Sequence, residues 1–242
     1  MPNSLLFGYD YSNRPTMKIK GYAQTSIGSR EQNQDSFLMS EEQGLFAVAD
    51  GVGGGYHGDV ASKMATEGLL KYSAEKQLRT RVEKLQNDVL QEALNTIGEA
   101  LMGTTLTVLQ FQGSAINLAH VGDSRCYVYQ EPLLKLITED HELYDENIKG
   151  TVLASYLGLS PDVSPLRIQE ETLLAAVGDR YLLCSDGLYR QIEENRIKEI
   201  IKENERDPQA IVDSLCNEAT KAISSDNVTI VLVEITGDAK NG

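Results

Sequence analysis

The chain has 242 residues, 41% of them hydrophobic, which is enough for one substantial core. Its formal net charge of -14 argues against nucleic acid or an anionic membrane as the main partner, because either would require a basic face. The three cysteines, Cys126, Cys184 and Cys216, are far apart, so we expect buried free thiols and neither a disulfide framework nor a zinc site.

Nothing along the chain suggests a linker, a low-complexity tract or a membrane span. We therefore expect an irregular lead-in over residues 1–16 and one domain over residues 17–242. The N-terminus has no basic-then-apolar signal pattern, which favours a cytoplasmic protein. No heptad or apolar stripe remains unassigned, so we expect a monomer.

The first half of the chain predicts strands followed by a helix pair. Apolar alternation predicts strands over residues 18–25, 36–39 and 45–49. A helix then starts with Asp59 as a plausible N-cap, and a second amphipathic helix covers residues 80–100. This order is repeated further along the chain.

The second half returns to strands and then to helices. Strands are expected over 104–111, 115–121, 125–129, 133–137, 167–172, 180–184 and 228–235. Residues 138–150 are polar and predict a short helix or a loop. Two helices are expected over 193–202 and 208–222, the second with Pro208 in its first turn. Strand runs alternating with helix pairs favour an α+β fold over a doubly wound parallel sheet.

Carboxylates recur at the ends of the apolar runs. Asp50, Asp123 and Asp186 each end or follow such a run beside a glycine, and Asp226 opens the last one. Taken singly, each of these aspartates fits a plain strand-to-turn corner. Together at one sheet edge they would repel each other unless cations neutralise them, and carboxylate and carbonyl oxygens suit Mg²⁺ or Mn²⁺.

Arg30 lies five residues before Asp35, in a polar loop, and is the candidate for a bidentate phosphate clamp. A plain surface arginine is the alternative there. Paired hard metals are a standard device for hydrolysing phosphate esters, so the carboxylates and Arg30 point to the same chemistry.

Six short motifs occur in order along the chain: Arg30-x-x-Asn33-Gln34-Asp35, Ala49-Asp50-Gly51-Val52-Gly53-Gly54, Gly103-Thr104-Thr105, His120-Val121-Gly122-Asp123-Ser124-Arg125, Leu183-Cys184-Ser185-Asp186-Gly187-Leu188 and Asp226-Asn227-Val228-Thr229. Together they resemble the metal-dependent protein phosphatase family (type 2C serine/threonine phosphatases), its bacterial branch in particular, over residues 18–235. Each motif alone is weak, but six in order with the family's spacing are specific.

The resemblance implies two stacked antiparallel β-sheets flanked on each side by antiparallel helix pairs. It also implies two core Mn²⁺ or Mg²⁺ ions, with a third, weaker one. Phosphoserine or phosphothreonine would be hydrolysed by direct attack of a metal-bridging water. The phosphoprotein substrates would come from a cognate bacterial Ser/Thr kinase.

The same resemblance assigns roles to individual residues. Asp50 would bridge the two metals, and Gly51 would offer its carbonyl to one of them. Asp186 and Asp226 would complete the other metal's shell. The remaining roles fall to three residues: Asp35 would hold the water network, Asp123 would serve the third metal with help from Asp186, and Arg30 would bind the substrate phosphate.

The chain departs from the family's pattern mildly at Ser224-Ser225, where glycine is common, and more clearly at three other places. Val52 stands where eukaryotic members carry a histidine that acts as general acid, and Gln34 stands where many members have glutamate. Only residues 142–156 lie where bacterial relatives carry a longer flap, so we expect a shortened flap and a more open active site. The short flap also weakens the expectation that a third metal ion binds. Two alternatives therefore stay open: a non-catalytic binding module on the same fold, or a phosphoesterase acting on small molecules.

Overall fold

The computed structural model describes residues 17–52, 57–221 and 226–237. The expected lead-in over residues 1–16 lies outside this part, as do Gly53 and Gly54 of the second motif. Whether residues 17–242 form a single domain stays a prediction. Within the described ranges, no helix is both long enough and apolar enough to cross a membrane.

Thirteen strands and five helices are found in the described ranges. The strands are β1 (Met17–Ser26), β2 (Asp35–Ser40), β3 (Leu45–Val52), β4 (Gly103–Thr104), β5 (Leu106–Gln112), β6 (Ala115–Val121), β7 (Arg125–Gln130), β8 (Leu133–Leu136), β9 (Glu142–Asp145), β10 (Gly150–Leu153), β11 (Gln169–Leu174), β12 (Arg180–Cys184) and β13 (Val228–Gly237). The helices are α1 (Gly58–Lys71), α2 (Leu78–Thr96), α3 (Asp186–Tyr189), α4 (Glu194–Glu203) and α5 (Pro208–Ala219).

The strands form two antiparallel sheets and a separate hairpin. One sheet has the order β1-β13-β12-β7-β8, and the other has the order β11-β6-β5-β3-β2, with β4 paired to β3. Strands β9 and β10 form the hairpin. The sequence-based prediction of an α+β fold with stacked antiparallel sheets is confirmed.

Three apolar clusters show how the layers stack. Along β3, Leu45, Ala47 and Ala49 pack with α1 and α2, whereas Phe46 and Val48 pack between the sheets. Residues of β13 alternate in the same way between the α4–α5 side and the intersheet core. Because side chains alternate faces along a strand, an apolar run buried on both faces marks a central strand.

Several element bounds differ from the expected ones. Helix α1 begins after His57, so the expectation that Asp59 is the N-cap was wrong; Asp59 lies within the first turn, where its charge suits the helix dipole. Helix α2 ends at Thr96, before residue 100. The segment over residues 138–150, expected to be a helix or a loop, instead contains β9, which pairs with β10 in register Asp145 to Gly150.

Cys126, Cys184 and Cys216 are all buried free thiols, as expected.

Candidate active site

The antiparallel pairing brings the candidate aspartates to one edge of the two sheets. Asp35 begins β2 and lies directly opposite Asp50 near the end of β3. In the other sheet, the end of β12 pairs with the start of β13, which places Asp186 and Asp226 at neighbouring strand termini. Asp123 follows the end of β6, which pairs with the start of β5 beside β3.

A cleft of about 680 Å³ opens at this edge. Four of the five aspartates line it together with Arg30, and the lining comprises Ser29, Arg30, Glu31, Gln32, Gln34, Asp50, Gly51, Val52, Thr105, Asp123, Leu153, Asp186, Asp226 and Asn227. The fifth aspartate, Asp35, faces Asp50 and accepts a hydrogen bond from the Ser185 hydroxyl at 2.7 Å. The structure thus brings every residue of the sequence-based site to one place.

Hydroxyl groups hold the acidic strand ends in position. The Asp50 amide donates to Thr105 Oγ1 at 2.9 Å, and its carbonyl accepts from Thr104 Oγ1 at 2.8 Å. Thr105 Oγ1 also lies 2.7 Å from Ser124 Oγ, beside Asp123. The Gly103-Thr104-Thr105 motif, which the sequence left without a role, therefore fixes the backbone of Asp50.

Burial and mutual repulsion raise the pKa values of these carboxyl groups. Burial, and then the nearby Asp186 and Asp226, raise the pKa of Asp35 from 3.8 to about 6. The pKa of Asp50 is raised well above 3.8 by burial and by Asp35 next to it. Burial and Asp186 raise the pKa of Asp123 to about 6. Such a cluster favours either protons or cations at its centre.

Two arginines neutralise part of this charge. Arg30 Nη2 donates to Asp226 Oδ2 at 2.6 Å. Arg190 Nε donates to Asp186 Oδ2 at 2.7 Å, and its Nη2 lies 3.1 Å from Asp123 Oδ2. The sequence-based analysis missed Arg190; its only signal is the spacing of four residues from Asp186, which places the two side chains on one face of a helical turn.

The donor set fits a hard divalent cation. Carboxylate oxygens are the ligands that Mg²⁺ and Mn²⁺ prefer, and Asp35 Oδ1 is buried with no hydrogen-bond partner among the described residues.

The backbone packs closely around Gly51. An added Cβ there would lie 2.5 Å from the carbonyl carbon of Gly58 and 2.8 Å from the backbone oxygen of Gln34, so only glycine lets the backbone approach.

No three His, Cys, Asp or Glu side chains in the described ranges are already arranged as a metal shell. Asp186 and Asp226 face guanidinium groups instead. Each guanidinium contacts only one oxygen of its carboxylate, Asp226 Oδ2 or Asp186 Oδ2, so a metal at these residues would use the other oxygen or displace the arginine.

The loop that carries Arg30 is held by Asn227. The Asn227 Oδ1 accepts from the Gln34 amide at 2.8 Å, and its Nδ2 donates to the carbonyls of Ile27 and Gln32 at 2.9 and 3.0 Å. Asn227 is buried and follows Asp226 directly. One amide side chain thus positions the loop before β2 against the start of β13.

The β9–β10 hairpin occupies residues 142–153 of the 142–156 segment where the sequence predicts a shortened flap. Leu153 at its end reaches the cleft, and Glu142 at its start accepts from Arg190 Nη2 at 2.8 Å. Val52 lines the cleft, and a valine side chain there can neither donate nor accept a proton.

Comparison with known proteins identifies the family. A family profile described as Protein phosphatase 2C matches residues 24–227. The chain belongs to this family. Among curated members, the serine/threonine phosphatase Stp of Listeria monocytogenes is 30% identical over 235 residues, which covers 85% of this chain and 91% of the relative.

Solved structures of phosphatases share the fold. PppA of Pseudomonas aeruginosa, described as a key regulatory component of T6SS, superposes with a TM-score of 0.80 at 29% identity, covering 90% of this chain and 98% of that one. The catalytic domain of the serine/threonine phosphatase PstP, in complex with 2 manganese ions, gives a TM-score of 0.75 at 26% identity, covering 91% and 100%. The protein phosphatase 2C membership thus agrees with the stacked sheets described above.

Proposed function

We propose that the chain is a Mn²⁺- or Mg²⁺-dependent protein phosphatase that hydrolyses phosphoserine and phosphothreonine. The observation that carries this proposal is the convergence of Asp35, Asp50, Asp123, Asp186 and Asp226 beside Arg30 at one cleft. The names of the bacterial relatives, which are serine/threonine phosphatases, support the same class of substrate.

The residues present would hold two core metal ions. Asp50 and the Gly51 carbonyl would contribute to one shell, and Asp186 and Asp226 would complete the other, with Asp35 behind them. When bound, the ions would supply a nucleophilic water at neutral pH and neutralise charge on the phosphate.

Arg30 is placed to bind the phosphate group of the substrate. Its side chain is 55% exposed although it pairs with Asp226, so the guanidinium can reach an incoming anion. Charged hydrogen bonds from a planar guanidinium match the geometry of phosphate oxygens. Arg30 would therefore orient the ester in a cleft that is otherwise dominated by negative charge.

The cleft supports direct hydrolysis over transfer to the protein. Its described lining includes no histidine, cysteine or lysine, so the side chains there that could form a covalent phosphoenzyme are the hydroxyls of Ser29 and Thr105 and the carboxylates. The Thr105 hydroxyl is already engaged by the Asp50 amide and by Ser124. The carboxylates are better explained as ligands of cations than as nucleophiles. Each lies beside other carboxylates whose negative charge also requires neutralisation.

The wider biology follows from this activity as expectation. A Ser/Thr kinase would supply the phosphoprotein substrates, and the enzyme would act as a cytoplasmic monomer. The kinase follows from the substrate class, whereas the compartment and the monomeric state come from the sequence patterns alone, and all three stay predictions.

The substrate class is tested by comparing four substrates after removal of metal with EDTA and addition of Mn²⁺: phosphothreonine, phosphoserine and phosphotyrosine peptides, and p-nitrophenyl phosphate. We expect the first two to be hydrolysed with the highest kcat/KM. The Asp50→Asn variant should lose this activity, whereas Asp213→Asn, at a half-buried aspartate in α5 that does not line the cleft, should keep it. Preference for the small ester over both Ser/Thr peptides would contradict the proposal.

A further inference from the structure

Arg190 contacts three carboxylates from three different elements. Its Nε lies 2.7 Å from Asp186 Oδ2, and its Nη2 lies 3.1 Å from Asp123 Oδ2 and 2.8 Å from Glu142 Oε1. These residues belong to α3, to the turn after β6 and to the first position of the β9–β10 hairpin. A single guanidinium therefore joins the acidic edge of the sheets to the hairpin.

The local sequence fixes Arg190 in this position. It follows α3, and its amide donates to the Asp186 carbonyl at 3.0 Å, which places the two side chains one helical turn apart. The neighbouring Tyr189 donates its hydroxyl to the Asp123 carbonyl at 3.0 Å, and the Arg125 guanidinium lies 3.7 Å from the centre of the Tyr189 ring. The segment that carries Arg190 is thus tied to the same turn that Arg190 contacts.

The negative charges of these three carboxylates explain why a cation is needed between them. The side chains of Asp123, Asp186 and Glu142 are only 11%, 21% and 20% exposed, so their mutual repulsion is weakly screened by solvent. A guanidinium has several donors in a fixed fork and can serve two or three carboxylates at once. A divalent ion shared by Asp123 and Asp186 would meet the positive charge of Arg190.

We propose that Arg190 is a resident cation that replaces a third metal ion between Asp123 and Asp186. The inference rests on the proposed metal centre, since it concerns how many ions that centre holds. It follows that this chain binds two Mn²⁺ ions. It also follows that the β9–β10 hairpin is held through Glu142 by the Arg190 side chain and not by a metal ion.

The test counts bound Mn²⁺ by equilibrium dialysis and electron paramagnetic resonance, which require no catalytic activity. Wild type is compared with Arg190→Met, which keeps the length of the side chain without its charge, and with Arg190→Lys, which keeps a charge. Arg196→Met is the matched control, because Arg196 also contacts three carboxylates, those of Glu199, Glu203 and Glu218, away from the cleft. Thermal melting establishes that each variant is folded.

We expect wild type, Arg190→Lys and Arg196→Met to bind two ions, and Arg190→Met to bind a third, weaker one. Adding Asp123→Asn to Arg190→Met should return the count to two. Three ions in wild type, or two in folded Arg190→Met, would overturn this inference and leave the proposed phosphatase intact. No bound ion in any of these proteins would overturn both.

Discussion

Asp35 and Asp50 lie opposite each other across the β2–β3 pair, so two carboxyl groups occupy adjacent positions at the acidic edge. Burial and nearby carboxylates raise the pKa of Asp35 from 3.8 to about 6. Since its folded pKa lies above its unfolded pKa, this carboxyl contributes stability that is fully present below pH 3.8. That stability is lost as the pH rises through about 6 in the metal-free protein.

Asp35→Asn should therefore make the metal-free protein more stable than wild type, by an amount that grows as the pH rises from about 4 to about 7. We expect a gain on the order of 1 kcal/mol at neutral pH, or roughly 2–4 °C in Tm. Urea unfolding of both proteins in EDTA across this range measures the difference. A difference that is constant with pH, or that shrinks as the pH rises, would contradict the assignment.

The difference between the two proteins is the useful quantity because His120 changes stability in the opposite direction. Burial, and then His141 at a ring distance of 4.9 Å, lower the pKa of His120 from 6.5 to about 3. Its contribution to stability is therefore complete above pH 6.5 and is lost as the pH falls towards 3. Both proteins contain His120, so this dependence cancels in the comparison.

Arg30→Ala should lower kcat/KM on a phosphothreonine peptide about 10- to 100-fold, because a hydrogen bond to a charged group contributes about 1.5–3 kcal/mol. Its affinity for Mn²⁺ should not fall, since removing the guanidinium frees Asp226 from its 2.6 Å ion pair. Steady-state kinetics and Mn²⁺ titration measure the two effects.

Arg79→Ala is a suitable comparison for Arg30→Ala, because Arg79 is also a half-exposed arginine paired with carboxylates, those of Glu83 and Glu170. It should leave both quantities unchanged. A loss of Mn²⁺ affinity in Arg30→Ala as large as its loss of kcat/KM would show that Arg30 supports the metal centre and does not bind the phosphate.

Asn227→Ala should loosen the loop that carries Arg30, because it removes three hydrogen bonds that join this loop to the start of β13. These hydrogen bonds are only partly buried, so leaving their backbone groups without partners costs at most about 1–3 kcal/mol each. We expect a lower Tm and a raised KM for the phosphopeptide. Asn204→Ala removes one side-chain bond to a helical carbonyl and should not change KM. An unchanged KM in folded Asn227→Ala would refute this positioning role.

Much of the fold could be predicted from local pattern. Strands β6 and β12 match the expected 115–121 and 180–184, because both are apolar runs with clear boundaries. Aspartates at strand ends could be assigned to one edge because antiparallel neighbours place the end of one strand beside the start of the next. Asp35 and Asp50 are the clearest case, since their pairing is direct.

The features that were missed depend on contacts distant in sequence or on very short elements. Strands β9 and β10 have four residues each and expose apolar side chains such as Tyr144 and Val152, so they show no alternating pattern. Arg190 follows a four-residue helix that carries no periodic signal. The pairing of Arg30 with Asp226 joins residues 196 positions apart, which local patterns cannot reveal.

The central claim is that the acidic edge carries out metal-dependent hydrolysis of phosphoserine and phosphothreonine. Its most direct test is the rate of phosphothreonine-peptide hydrolysis as Mn²⁺ is titrated into EDTA-treated wild type, Asp186→Asn and the exposed control Asp162→Asn. We predict activity in wild type and in the control that depends on Mn²⁺. Asp186→Asn should lose more than the roughly 10- to 100-fold typical of residues outside the metal shell. No hydrolysis by folded wild type with any divalent metal, or full activity of Asp186→Asn, would contradict the claim.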